Sequence, residues 1–144
     1  MKWIPLSVII ISILIFAILG YAYSQSTLAL QEKCAEGAKR FFFEYKDQYR
    51  NGSDYFPDYT SHYNKNLDKC FIHISVFKLT KNGEEESVIH LYNVFEGTAE
   101  SKTSAYGRFY KFMDRTQPPF CIVGDKICHS EAEFDALIKP YMEE

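Results

Sequence analysis

Beyond residue 24 the chain has no tryptophan; the single one is Trp3. It also lacks a C-x-x-C pair, a G-x-S-x-G elbow, a phosphate-binding P-loop, a dinucleotide glycine fingerprint and an H-E-x-x-H helix. These absences remove the local signatures of paired zinc ligands, haem attachment, serine hydrolases, nucleotide cradles and zinc peptidases. No basic cluster is present either. Sixteen Lys and Arg stand against nineteen Asp and Glu, a net charge of −3. A mildly acidic chain without a positive stripe has nothing to neutralise a phosphate backbone, so nucleic acid is excluded as a partner class.

What is present begins with an address. Met1-Lys2 precedes an almost unbroken apolar run from Trp3 to Ala22, ending in Gly20-Tyr21-Ala22-Tyr23-Ser24. One positive charge, an apolar centre and small residues at Ala22 and Ser24 match a signal peptide over residues 1–24, with the mature chain starting near Gln25. About 20 apolar residues also suffice to span a bilayer, so an uncleaved anchor over residues 3–23 is the competing reading. No cysteine lies near Gly20, which argues against a lipoprotein. Both readings export the 120 residues that follow, enough for one compact domain over 25–144. Nine Tyr and eleven Phe in that part can fill a core.

Cys34, Cys70, Cys121 and Cys128 all lie beyond the leader, and an even count in a small exported domain reads as disulfides. The alternative, a metal centre, lacks short-spaced ligands; His129 after Cys128 is the only histidine adjacent to a cysteine. No metal or other cofactor is expected.

Leu30, Cys34, Ala38, Phe41, Phe42, Tyr45 and Tyr49 recur at three- and four-residue steps, which predicts an amphipathic helix over Leu28–Tyr49 ended by Asn51-Gly52. Asn51-Gly52-Ser53 is also a glycosylation sequon, although the cap accounts for it. Residues 53–69 are polar and aromatic, and Pro57 interrupts them, so they read as a loop. Cys70–Thr80 and Glu85–Phe95 flank Lys81-Asn82-Gly83-Glu84, a hairpin signal. A two-residue Asn82-Gly83 turn sets His73 opposite Tyr92 and Ser75 opposite His90. It makes His73 and His90 diagonal neighbours, and places Cys70, Ile72, Ile74, Val76, Ile89, Leu91 and Phe95 on the drier face, toward the helix. Ala105–Met113 reads as a third strand. Phe120–Cys128 reads as a small hairpin around Gly124-Asp125. Ser130 and Glu133 form a capping box before a final helix, which Pro140 should kink or end.

The expected fold class is therefore α+β: a long N-terminal helix packed on a small antiparallel sheet, a disulfide-closed hairpin and a short C-terminal helix. The turn at Gly124-Asp125 brings Cys121 opposite Cys128, leaving Cys34 to Cys70, which would pin helix to sheet.

The runs Ser61-His62-Tyr63-Asn64-Lys65-Asn66-Leu67-Asp68-Lys69-Cys70, Leu91-Tyr92-Asn93-Val94-Phe95-Glu96-Gly97 and the final stretch from Cys128 resemble a group of small uncharacterised exported bacterial proteins. The resemblance implies a bacterial origin and an envelope location, periplasmic or extracellular. It supplies no catalytic residues. Candidate polar positions are His62, Tyr63 and Asn64, with His73 and His90 as a possible pair. Each also has a bland explanation, since loops satisfy their own backbone from such side chains and histidines pack on aromatics across strands.

Three functions remain open. One is a non-catalytic module binding a protein, peptide or envelope component. Another is a small hydrolase or metal-dependent enzyme using His62/Tyr63 or His73/His90. The third is a membrane-tethered structural protein. The reading leans away from an enzyme and toward the binding module.

Overall fold

A computed structural model describes residues 6–47, 55–79, 85–96, 105–112 and 116–143; of residues 6–10, 12–25, 79 and 85 it describes the backbone alone. The chain runs α1 (Leu6–Asp47), β1 (Tyr55–Asn64), β2 (Lys69–Leu79), β3 (Glu85–Asn93), β4 (Ala105–Lys111), β5 (Phe120–Val123), β6 (Lys126–Ile127) and α2 (Glu131–Met142). The six strands form one antiparallel sheet in sequential order. Helix α1 packs on one face, helix α2 on the other, and each interface has its own core. The expected α+β class, the C-terminal hairpin and the final helix are all present.

The inward stripe of α1 is Cys34, Ala38, Phe41 and Tyr45, all buried, with Phe42 half-buried. Leu30, expected in that stripe, is exposed, because the helix meets the sheet only from Cys34 onward. The helix itself extends far upstream of Leu28 and is described as far as Asp47; Tyr49 and Asn51-Gly52 lie outside the described residues.

Residues 55–64 form a strand, which corrects the loop expected there. The reason lies in which side of β1 carries Pro57. β1 is an edge strand, and the N–H of Tyr59 is taken by the Asp58 carboxylate at 2.8 Å. Pro57 shares Tyr59's parity, so its missing donor falls on the outer edge and the ladder to β2 is undisturbed. Together, Pro57 and Asp58 blunt this half of the edge against pairing with another strand.

The register of β2 on β3 also differs from expectation. Leu79 pairs with Glu85, Ile74 with His90 and His73 with Leu91, one residue away from the pairing a two-residue turn imposes. Lys81-Asn82-Gly83-Glu84 lies outside the described residues. A one-residue offset moves every β3 side chain to the other face. The α1 face therefore holds Cys70, Ile72, Ile74, Val76, Val88, His90, Tyr92 and Val94. The α2 face holds Phe71, Ile89, Leu91, Phe109, Cys121 and Val123. His73 and His90 consequently sit on opposite faces and cannot share a ligand.

β5 and β6 turn through Gly124, whose φ of 61° is the left-handed conformation that suits glycine. The turn sets Cys128 against Cys121, whose carbonyl accepts the Cys128 N–H at 3.2 Å. Both expected disulfides form: Cys34–Cys70 with Cα atoms 5.4 Å apart, and Cys121–Cys128 at 4.9 Å. Ser130 caps α2 by accepting the Glu133 N–H, while Glu133 reaches back to the N–H of His129. α2 continues two residues past Pro140, to Met142. Proline so near the end removes a single backbone bond from the last turn, and the helix does not stop there.

Candidate functional site

Strand geometry divides the run His62-Tyr63-Asn64, because successive side chains of β1 point to opposite faces. Tyr63 faces α1, and its hydroxyl donates to Asp68 Oδ1 at 2.5 Å across the β1–β2 turn. Asp68 holds that turn at φ 51°, a conformation an aspartate tolerates better than most residues. Asn64 faces α2 and is buried. Its Nδ2 donates to the Pro140 carbonyl at 2.9 Å, with the carbonyls of Tyr141 and Glu143 at 3.4 Å, while Oδ1 accepts the Leu67 N–H at 3.0 Å. The last carbonyls of a helix have no partner within it; one amide from β1 supplies it here. Tyr63 and Asn64 thus hold the fold: Tyr63 points to the face opposite His62, and Asn64, which shares the face of His62, is committed to the end of α2 and to Leu67. Asn64→Ala should cost about 2 kcal/mol, as a buried donor and acceptor are lost together. Hydrogen exchange should quicken at the C-terminal turn of α2 and at Leu67; unchanged protection at both would contradict this role.

His90 lies in the core under α1. The hydroxyls of Tyr45 and Tyr92 stand 3.0 and 3.1 Å from Nδ1, and that of Tyr110 stands 2.7 Å from Nε2. A ring protonated on Nε2 alone matches this arrangement: Nε2–H donates to Tyr110, and the Nδ1 lone pair is shared by the other two phenols. The network joins α1, β3 and β4. Sequence reasoning missed the three tyrosines as its members. The signal available was Tyr45 in the inward stripe, since a buried phenol requires a polar partner.

His62 and His73 are the true diagonal pair. Thr60 faces His73 and His62 faces Phe71, so both imidazoles lie on the α2 face of β1 and β2. The Nε2 of each is buried with no hydrogen-bond partner. Beside them an open groove of about 380 Å³ runs between the sheet and α2. Thr60 and His73 form one wall; Asp135, Ala136, Ile138, Lys139, Met142 and Glu143 form the other. Lys139 and Glu143 pair at 3.4 Å, whereas Asp135 forms no hydrogen bond or ion pair among the described residues. Burial pushes the His73 imidazole below its ordinary pKa, against a weaker upward pull from Asp135.

That shift has a definite sign. The unfolded chain takes up the His73 proton more readily than the folded one, so this contribution to stability is complete above about pH 6.5 and is lost as pH falls through the lower folded value. Denaturant midpoints should drop on acidification from pH 7, and His73→Phe should flatten the drop. A slope unaltered in that variant would assign the acid sensitivity to other groups.

Two further polar clusters are already engaged. Lys69 Nζ donates to Tyr106 at 2.6 Å and pairs with Glu96 at 3.0 Å, while Tyr106 donates to the same carboxylate at 2.9 Å. Hydrogen bonding from Tyr106, then Glu96, raises the lysine; bonding from Lys69, then Tyr106, lowers the glutamate. Both stay charged, so Lys69 is no nucleophile and Glu96 no acid. A second cleft, of about 410 Å³, opens beside Phe109, Phe112 and Pro119 and includes His129, Ser130 and Glu131. The Ser130 hydroxyl there is committed to capping α2.

Among the described residues no group of three or more His, Cys, Asp or Glu side chains could hold a metal ion. No protein-family model, no curated protein and no solved structure matches the chain.

Proposed function

We propose that this is an exported, disulfide-stabilised binding module of a bacterial envelope, with the groove between α2 and β1–β2 as its contact site. One contrast supports the reading. Tyr63, Asn64, His90 and Ser130 are occupied in holding the fold, while Thr60 and Asp135 stand unengaged beside the apolar floor of the groove. His62 and Tyr63 point to opposite faces of β1 and the Tyr63 hydroxyl is committed to Asp68, so the alternative of a hydrolase built on His62/Tyr63 has no support in the geometry. The pair His73/His90 is divided by the sheet.

Export is supported by the leader and by two disulfides, which persist in oxidising compartments. Among the described side chains, residues 26–33 are not buried and packing of α1 on the sheet begins at Cys34, nine positions beyond Gln25. A tethered form is the second reading, favoured by the unbroken course of α1 from Leu6 to Asp47. Among the described residues no helix is long and apolar enough to cross a membrane; of the run from Trp3 to Ala22, residues 3–5 lie outside them and Ile11 is the one described side chain. Intact mass of exported protein should lack residues 1–24; their retention would establish the tether.

The binding role is tested by nuclear magnetic resonance of the oxidised full chain in detergent micelles, titrated with short peptides of differing charge. Shifts concentrated at Thr60, His73, Ala136 and Met142 support the groove. Turnover of an esterase, peptidase or phosphatase substrate that is abolished by His73→Ala would replace the binding role with an enzymatic one.

A further inference from the structure

Resting on the binding role of the groove, we infer that its occupant is a basic side chain, lysine or arginine, presented by a partner polypeptide. The inference rests on charge and shape. Of the charged groups lining the groove, Lys139 and Glu143 compensate each other at 3.4 Å. Asp135 remains as the uncompensated charge, so the groove presents one net negative site.

Directly beside Asp135, Ile138 and Met142 provide an apolar floor, and Thr60 adds an exposed hydroxyl on the opposite wall. A long basic side chain matches this order of surfaces: its methylene stem covers the apolar strip while its charged head reaches the carboxylate. An acidic side chain would meet the uncompensated Asp135 carboxylate, and a purely apolar one would strip water from Asp135 without replacing it.

The shape favours a polypeptide over a free small amine. Small-molecule sites enclose most of their ligand, whereas this groove is open along its length and can contact one side of its occupant. Main-chain pairing along the first half of β1, beside Thr60, is blocked by Pro57 and by Asp58 on the Tyr59 N–H, which leaves side chains laid into the groove as the source of recognition there.

The experiment uses the full oxidised chain in micelles and four blocked tripeptides of glycine flanking arginine, lysine, leucine or glutamate. The arginine and lysine peptides should shift Thr60, His73, Ala136 and Met142 and bind more tightly than the leucine peptide. Asp135→Asn should weaken them roughly two- to fivefold, the range of one exposed ion pair, and added salt should remove the same increment. Asp135 is exposed, so this variant retains the fold. Equal arginine binding in Asp135→Asn, or groove shifts as large with glutamate or leucine, would overturn the basic occupant while leaving the groove a binding site. Absence of groove shifts with all four peptides would overturn both.

Discussion

Cys34→Ala combined with Cys70→Ala is expected to lower the unfolding free energy by roughly 4 kcal/mol, from the loop entropy of a bridge spanning 36 positions. In a domain of this size that loss shifts the melting temperature by roughly 12–20 °C, and it approaches the whole stability of many small domains. The effect is global because of what the bridge joins. Cys34 is the point at which α1 first meets the sheet, and Cys70 is the second residue of β2, where Cys70, Phe71 and Ile72 are buried on both faces. The loop it closes contains the rest of α1, the connection to β1 and all of β1. Without it, docking α1 depends on noncovalent contacts such as those of Ala38, Phe41, Tyr45, Phe42 stacked on Tyr59, and the His90 network. Removing Cys121 and Cys128 should cost only about 2.5 kcal/mol, because the ring spans seven positions, and should loosen β5, β6 and the start of α2. Calorimetry of the two double variants separates the cases. Equal losses, or a loss below about 1.5 kcal/mol for the first, would contradict the pinning role of Cys34–Cys70.

Those two bridges were legible because each cysteine carried a second signal. Cys34 falls in a helical stripe, and Cys121 and Cys128 flank a tight turn. The capping box at Ser130 was legible for the same reason, since side-chain chemistry and spacing coincide there. β1 was not, because Pro57 is read as a break unless the strand is known to be an edge. The signal that survives is Tyr55, Tyr59 and Tyr63, spaced so that all three share one strand face, and the structure sets them toward α1.

The register error has a different origin. Alternation of apolar and polar residues fixes register when one face of a sheet is wet. Here Cys70, Phe71 and Ile72 are all fully buried, because α1 covers one face and α2 the other. Strands buried on both faces lose alternation, so nothing but the assumed turn set the count. The candidate site inherited that error. The pair proposed from the count, His73 and His90, belongs to two different cores, and the real neighbour of His73 is His62 on a strand not expected to exist.

Phe134→Ala is expected to cost about 3–5 kcal/mol, the range for truncating a fully buried aromatic ring, and to do so on one side of the sheet. Phe134 is completely buried and stacks at a tilt on Phe109, with ring centroids 6.0 Å apart. It lies over Gly107, where even a methyl group would come within 3.1 Å of the ring. Phe134 and Ile138 are the buried residues of α2, with Leu137, Tyr141 and Met142 packed half-buried beside them, so the ring removes the largest fully buried side chain of the helix. The opposite core shares no side chain with this one, since the sheet divides them. Amide exchange should therefore rise first in α2, at Thr60 and at His73, while Cys34 through Tyr45 keep their protection until global unfolding. The groove should fail with the helix, so the arginine peptide should lose its contact in Phe134→Ala even under conditions where α1 remains docked. Uniform loss of protection on both faces would show that the two cores unfold as one unit. A cost below about 1.5 kcal/mol would show that α2 is held chiefly by Asn64 and the Cys121–Cys128 hairpin at its two ends.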